Sequence, residues 1–187
     1  MEFPKALANR SSSRGPTVLT AICSAIVALC AFVASVSAGP ANEYQVKAAF
    51  LFNFAKFVEW PPNAFSDTNT PFVIGVLGQD PFGSYLDDIV RGERVNNRSL
   101  TVQRYRHVGE IKQCQVLFIS RSESDHIDQI VSSLKYRKIL LVTDADGGNG
   151  GVTIRFVNEG NRIRFKIDVQ AAKAANLVIS SKLLRLG

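Results

Sequence analysis

Three short apolar runs constrain this chain more than any other feature: Phe72–Leu77, Val116–Ile119 and the stretch within Lys138–Thr143. Each is too short for a buried helix and too uniformly apolar for a half-exposed strand, so each reads as a strand covered on both faces. Helical patterns lie between them. Asp80-Pro81 suits a helix start, Phe82, Tyr85, Leu86, Ile89 and Val90 trace one face, and Gly92 closes it. Ser122 and Asp125 resemble a second start, followed by the stripe Ile127, Ile130, Val131 and Leu134. Leu100–Tyr105 alternates like a half-buried strand. Past the glycine-rich 147–151, Val152, Ile154 and Phe156 alternate with polar residues, as do Ile163, Phe165 and Ile167, with Asn158-Glu159-Gly160-Asn161 as the turn of a hairpin. A last helix is expected over Val169–Leu177. The fold class is therefore α/β: a three-layer sandwich with a mostly parallel central sheet, helices on both faces and an antiparallel hairpin at one edge.

The first 38 residues follow another logic. Lys5, Arg10 and Arg14 precede an apolar stretch, Val18–Val36, that ends in Val36-Ser37-Ala38, the layout of a secretory signal peptide cleaved after Ala38. Its longest unbroken apolar run, Ala25–Ala34, has 10 residues, short of the roughly 18 that a membrane-spanning helix needs. The expected organisation is a signal peptide over 1–38 and one α/β domain over 39–187, exported to the periplasm. Removing Lys5, Arg10, Arg14 and Glu2 lowers the net charge from +6 to +4. Basic and acidic residues alternate without aromatic interleaving, so a nucleic-acid footprint is missing. Cys23 and Cys30 leave with the leader; Cys114 alone survives, beside an apolar strand, and reads as a buried thiol.

The residues that could carry chemistry do not assemble into a catalytic set. Gly75, Gly78 and Gly83 match neither phosphate-binding fingerprint, and Asp80 opposes an anion at the helix start. Asp144, Asp146 and Asn149 lack the remaining ligands of a calcium loop. His107 and His126, the two histidines, have no ligand spacing, and Cys114 with His107 lacks an orienting group. The expectation is a non-enzyme without metal or cofactor. Ser120, Ser122 and Ser124 follow a strand end where open α/β sheets hold ligands, although capping accounts for Ser122 equally.

Aromatic density is the unusual feature. Phe50, Phe52, Phe54, Phe57, Trp60 and Phe65 crowd the opening helix, Glu43–Val58, and the Trp60-Pro61-Pro62 corner that stops it. With Val46, Phe50, Phe54 and Phe57 as the inward stripe, Phe52 and the corner remain either for the rest of the domain to cover or for a partner. Phe57 and Trp60 are the candidate apolar anchors with Glu59 as an acceptor beside them, and Arg164 and Lys166 on a basic strand are candidate steering charges. Surplus aromatics also favour a homodimer.

Several segments together resemble one family. YQVKAAFLFNFAKFVEWP over 44–61, the ending ISSKLLRL over 179–186, CQVLFIS over 114–120 and Gly150-Gly151 are similar to the YfiR family of periplasmic proteins. The resemblance implies a compact, often dimeric α/β domain that inhibits the periplasmic sensor part of an inner-membrane diguanylate cyclase, lowering cyclic-di-GMP output and biofilm formation. It implies an outer-membrane lipoprotein as a second partner. The alternative is a small-molecule sensor acting on a membrane histidine kinase, its ligand at the sheet's carboxyl edge. Two departures stand out: the mature chain cannot form the disulfides that some members have, and Asp168 replaces the usual asparagine, altering any hydrogen bond donated there.

Overall fold

The computed structural model describes residues 40–160 and 162–187. The expected leader, with Cys23 and Cys30, lies outside them, as does Asn161. Helix α1, Pro40–Phe57, runs into the two-residue strand β1, Val58–Glu59, and Pro61 opens a single 3-10 turn, Pro62–Ala64. Then come β2 (Phe72–Leu77), α2 (Ser84–Val90), β3 (Arg94–Val95), β4 (Arg98–Tyr105), β5 (Val116–Ile119), α3 (Ile127–Ser133) and β6 (Leu140–Thr143). β7 (Ile154–Glu159) and β8 (Arg162–Ile167) form the hairpin, followed by α4 (Val169–Ala174), β9 (Val178–Ile179) and α5 (Ser181–Leu184).

Seven strands form one sheet in the order β3-β4-β2-β5-β6-β7-β8. The five strands β4, β2, β5, β6 and β7 are mutually parallel, while β3 and β8 close the two edges antiparallel. Numbered along the chain, the parallel strands run 2-1-3-4-5, the doubly wound order whose reversal lies between β2 and β5. All residues of β2, β5 and β6 are buried, because helices cover both faces. Ile74, Val76, Val116, Phe118, Leu140 and Val142 face α1 and α2. Val73, Leu77, Leu117, Ile119 and Leu141 face α3. Gly75 must be glycine for packing: a Cβ there would lie 2.7 Å from the Tyr105 ring and 2.8 Å from Cys114 Sγ.

Several local expectations are corrected. α1 is turned relative to the expected stripe: Val46 is exposed and Phe50 and Phe57 are half-buried, whereas Lys47, Ala48, Leu51, Phe54 and Ala55 face inward. The helix is apolar on most sides beyond Ala48, so periodicity alone does not orient it. Asp80 caps no helix. Its carboxylate accepts from Phe82 N–H and pairs with Arg104, and α2 begins only at Ser84. Ser120, not Ser122, caps the turn leading into α3. Two small pairings add to the sequence reading. Asn96 and Asn97, both at positive φ, make the two-residue turn joining β3 to β4, and β1 pairs with β9 across the whole domain sequence.

Candidate partner surface and charged cluster

The corner after α1 is built by local chemistry and then locked by the chain's end. The prolines end the helix, β1 pairs Val58 with Ile179 and Glu59 with Val178, and Ser180 N–H donates to the Phe57 carbonyl at 3.0 Å. Phe57 is half-buried and Glu59 exposed. Trp60 is half-buried too, its ring edge-on to Phe72 at 4.9 Å and 90°. Its indole therefore belongs partly to the core, and Nε1 is buried with no acceptor among the described residues. Val178, opposite Glu59, is 60% exposed, and Leu184 also reaches solvent. Sequence reasoning missed Val178, since only its pairing with β1 sets it beside the corner.

Arg164 and Lys166 stand elsewhere. Alternation along β8 aims Phe165 at α1, where it packs on Phe50 at 5.3 Å and Phe54 at 5.2 Å. The exposed Arg164 and Lys166 consequently project from the opposite face of the sheet. Phe57, Glu59 and Trp60 are brought together; the two basic residues do not join them. On an edge strand, such charges discourage pairing with other chains.

The other end of α1 carries a cluster that the sequence reading did not assign. Lys47 and Asp144 are each 1% exposed and 2.6 Å apart. Glu43 Oε1 approaches Lys47 Nζ at 2.5 Å, the Tyr44 hydroxyl donates to Asp144 Oδ2 at 2.9 Å, and Arg121 Nε lies 3.4 Å from the same oxygen. Burial raises the Glu43 carboxyl, but the Lys47 hydrogen bond and charge outweigh it and leave the group below its usual range. Burial, reinforced by Asp144, pushes the Tyr44 hydroxyl up to about 12. This arrangement is an electrostatic clamp between α1 and the end of β6. A lysine near the start of an aromatic-rich helix was its one signal, and its partner is 97 residues away.

The remaining candidates separate. Cys114 is buried, with Sγ 3.0 Å from the Val116 carbonyl, and burial pushes its thiol up to about 12. The His107 ring is 69% exposed, 3.2 Å from Glu110. Asp144 belongs to the clamp, while Asn149 binds Asp128. Among the described residues no three metal-ligating side chains converge. At the strand-order reversal, Ser122 Oγ accepts from Gln79 N–H at 2.9 Å, and a Cβ on Gly78 would lie 2.4 Å from that oxygen. At this edge of the sheet the Ser122 and Glu123 side chains pack directly against Gly78. Asp168 accepts from Gln170 and Ala171 N–H at 2.8 and 2.9 Å, capping α4. The role is an acceptor's, so a carboxylate serves it.

These features describe a small doubly wound α/β domain with a partly exposed apolar corner and an internal charge clamp. The chain belongs to the YfiR/HmsC-like family, whose pattern matches residues 44–187. No match among curated proteins is found. The family consists of periplasmic regulators, not enzymes, and points to diguanylate cyclase signalling. Among the described residues no helix is long and apolar enough to cross a membrane.

Proposed function

We propose that this protein, exported by cleavage after Ala38, binds and inhibits the periplasmic sensor part of an inner-membrane diguanylate cyclase. Lower cyclic-di-GMP and less biofilm follow. The family match from Tyr44 to the chain end carries this reading; the charged leader and its Val36-Ser37-Ala38 site support the export step. The partner is held at the corner formed by Phe57, Glu59 and Trp60, joined by Val178, because apolar side chains are exposed there beside a charge. Arg164 and Lys166 steer an acidic partner from a separate face. The protein acts as a homodimer, and an outer-membrane lipoprotein sequesters it and so releases the cyclase. Deleting the gene and measuring cyclic-di-GMP tests the proposal: a rise is expected, and an unchanged level removes the cyclase from the scheme.

A further inference from the structure

Two cavities lie apart from the charge clamp, the second of them beginning just past the corner at Asn63. The first, about 350 Å³, opens between the end of α3 and α4 and is lined by Val131, Leu134, Ile139, Leu141, Ala171 and Ala174. Small residues keep it open: Gly151, at φ +82, comes so close to Val131 that a Cβ would lie 2.5 Å from its Cγ1. The second, about 380 Å³, sits at the amino edge of the sheet, where Lys112, Arg137 and Lys138 line it with Asn63, Ser66 and Gln113. No acidic side chain lines this second cavity among the described residues.

The two share Tyr136, Arg137 and Ile139 as a common wall. Arg137 holds that wall in place by donating to the carbonyls of Ile111 and Lys112 at 2.7 and 2.8 Å. This fixes the Lys112 backbone on the same cavity as Lys138. Tyr136 is the outlier. It occupies the left-handed region at φ +70 just after α3, where glycine is usual, and its side chain is 78% exposed. A bulky residue in a costly conformation, not packed into the core, points to a use at the surface.

We propose that the paired cavities bind one amphipathic anion, with its apolar chain between α3 and α4 and its anionic head group against Lys112 and Lys138. The apolar lining supplies the affinity for the chain, and the cations without acidic neighbours in the lining select the head group. Tyr136, which lines both cavities, stands at their junction. Each cavity alone lies at the low end of the size that holds a small molecule; together they fit a single-chain amphiphile.

Calorimetric titration of the purified protein with dodecyl phosphate, below its aggregation concentration, tests this against dodecyl maltoside and inorganic phosphate. Dodecyl phosphate is expected to bind at least tenfold tighter than either. Lys112→Gln with Lys138→Gln should bring its affinity down to that of dodecyl maltoside. Ala174→Leu, at an exposed helix position, should weaken both alkyl probes. Equal affinity for the charged and uncharged amphiphiles, or inorganic phosphate binding as tightly as dodecyl phosphate, overturns the proposal even if a variant fails to fold. Folded variants that bind like the parent protein also overturn it. Retention on phosphatidylglycerol vesicles, lost in the variants, identifies a membrane lipid as the source; binding of the dissolved amphiphile without retention identifies a free one.

Discussion

Removing one member of the Lys47–Asp144 pair should reveal how much the clamp contributes. Both side chains are 1% exposed, so Lys47→Met leaves a carboxylate in the interior without its closest cation. Breaking a buried pair this way costs about 3–5 kcal/mol. The lower figure applies, because Arg121 stays 3.4 Å from Asp144 Oδ2 and the Tyr44 hydroxyl still donates to it. For a domain of roughly 150 residues, about 3 kcal/mol lowers the melting midpoint by about 6–12 °C. Asp144→Asn should cost a similar amount, moderated by Glu43, which remains beside Lys47. Lys47→Met with Asp144→Asn buries neither charge, so the double variant should cost at least about 1.5 kcal/mol less than the sum of the singles. Urea unfolding followed by circular dichroism, with the slope held constant across variants, measures all four corners of the cycle. Additive effects, or single costs below about 1 kcal/mol, would refute the clamp.

Cys114 should resist an aromatic disulfide reagent at pH 8 in the native protein and react fully in urea. Its linkage has a definite sign. The unfolded thiol ionises near 9.0 and the folded one at about 12, so stability falls as pH rises between those values, and Cys114→Ser should flatten that part of the profile. Asp168→Ala should cost about 1 kcal/mol by uncapping α4, whereas Asp168→Asn should stay within about 0.5 kcal/mol, both read by urea unfolding. Val178→Asp with Glu59→Lys, at exposed positions, should weaken binding to the cyclase sensor domain at least tenfold with the melting midpoint unchanged; normal binding would place the partner elsewhere. Trp60→Ala should lower stability by about 2 kcal/mol in chemical unfolding, less than the about 3–5 kcal/mol of a fully buried tryptophan, because its half-buried ring packs edge-on to Phe72.

Much of this fold is legible because short-range physics writes it. Phe72–Leu77, Val116–Ile119 and Leu140–Thr143 are strands since nothing but a doubly covered sheet buries such runs. The prolines after Trp60 end α1 wherever it packs, and the alternation of Ile163, Phe165 and Ile167 sets the two faces of β8. Cys114 is buried because it adjoins an apolar strand. The family is legible too, in the motifs near both termini.

Tertiary structure alone decided which side of α1 faces inward. Its aromatic and aliphatic residues lie on most sides of the helix beyond Ala48, so periodicity leaves the rotation open; the side that packs inward carries Lys47, whose partner Asp144 is 97 residues away. The same holds at the corner: Val178 joins Glu59 only through a two-residue pairing, too short for any periodicity to announce. Alternation puts Arg164 and Lys166 on one side of β8, yet only the packing of Phe165 on α1 turns that side away from the helix. The two cavities, likewise, arise where α3, α4 and three strand entrances fail to fill space between them. The sequence determined each element by its own periodicity, caps and breakers, which act over a few residues; faces, partners and voids depend on contacts between distant elements, and those exist only once the chain has packed.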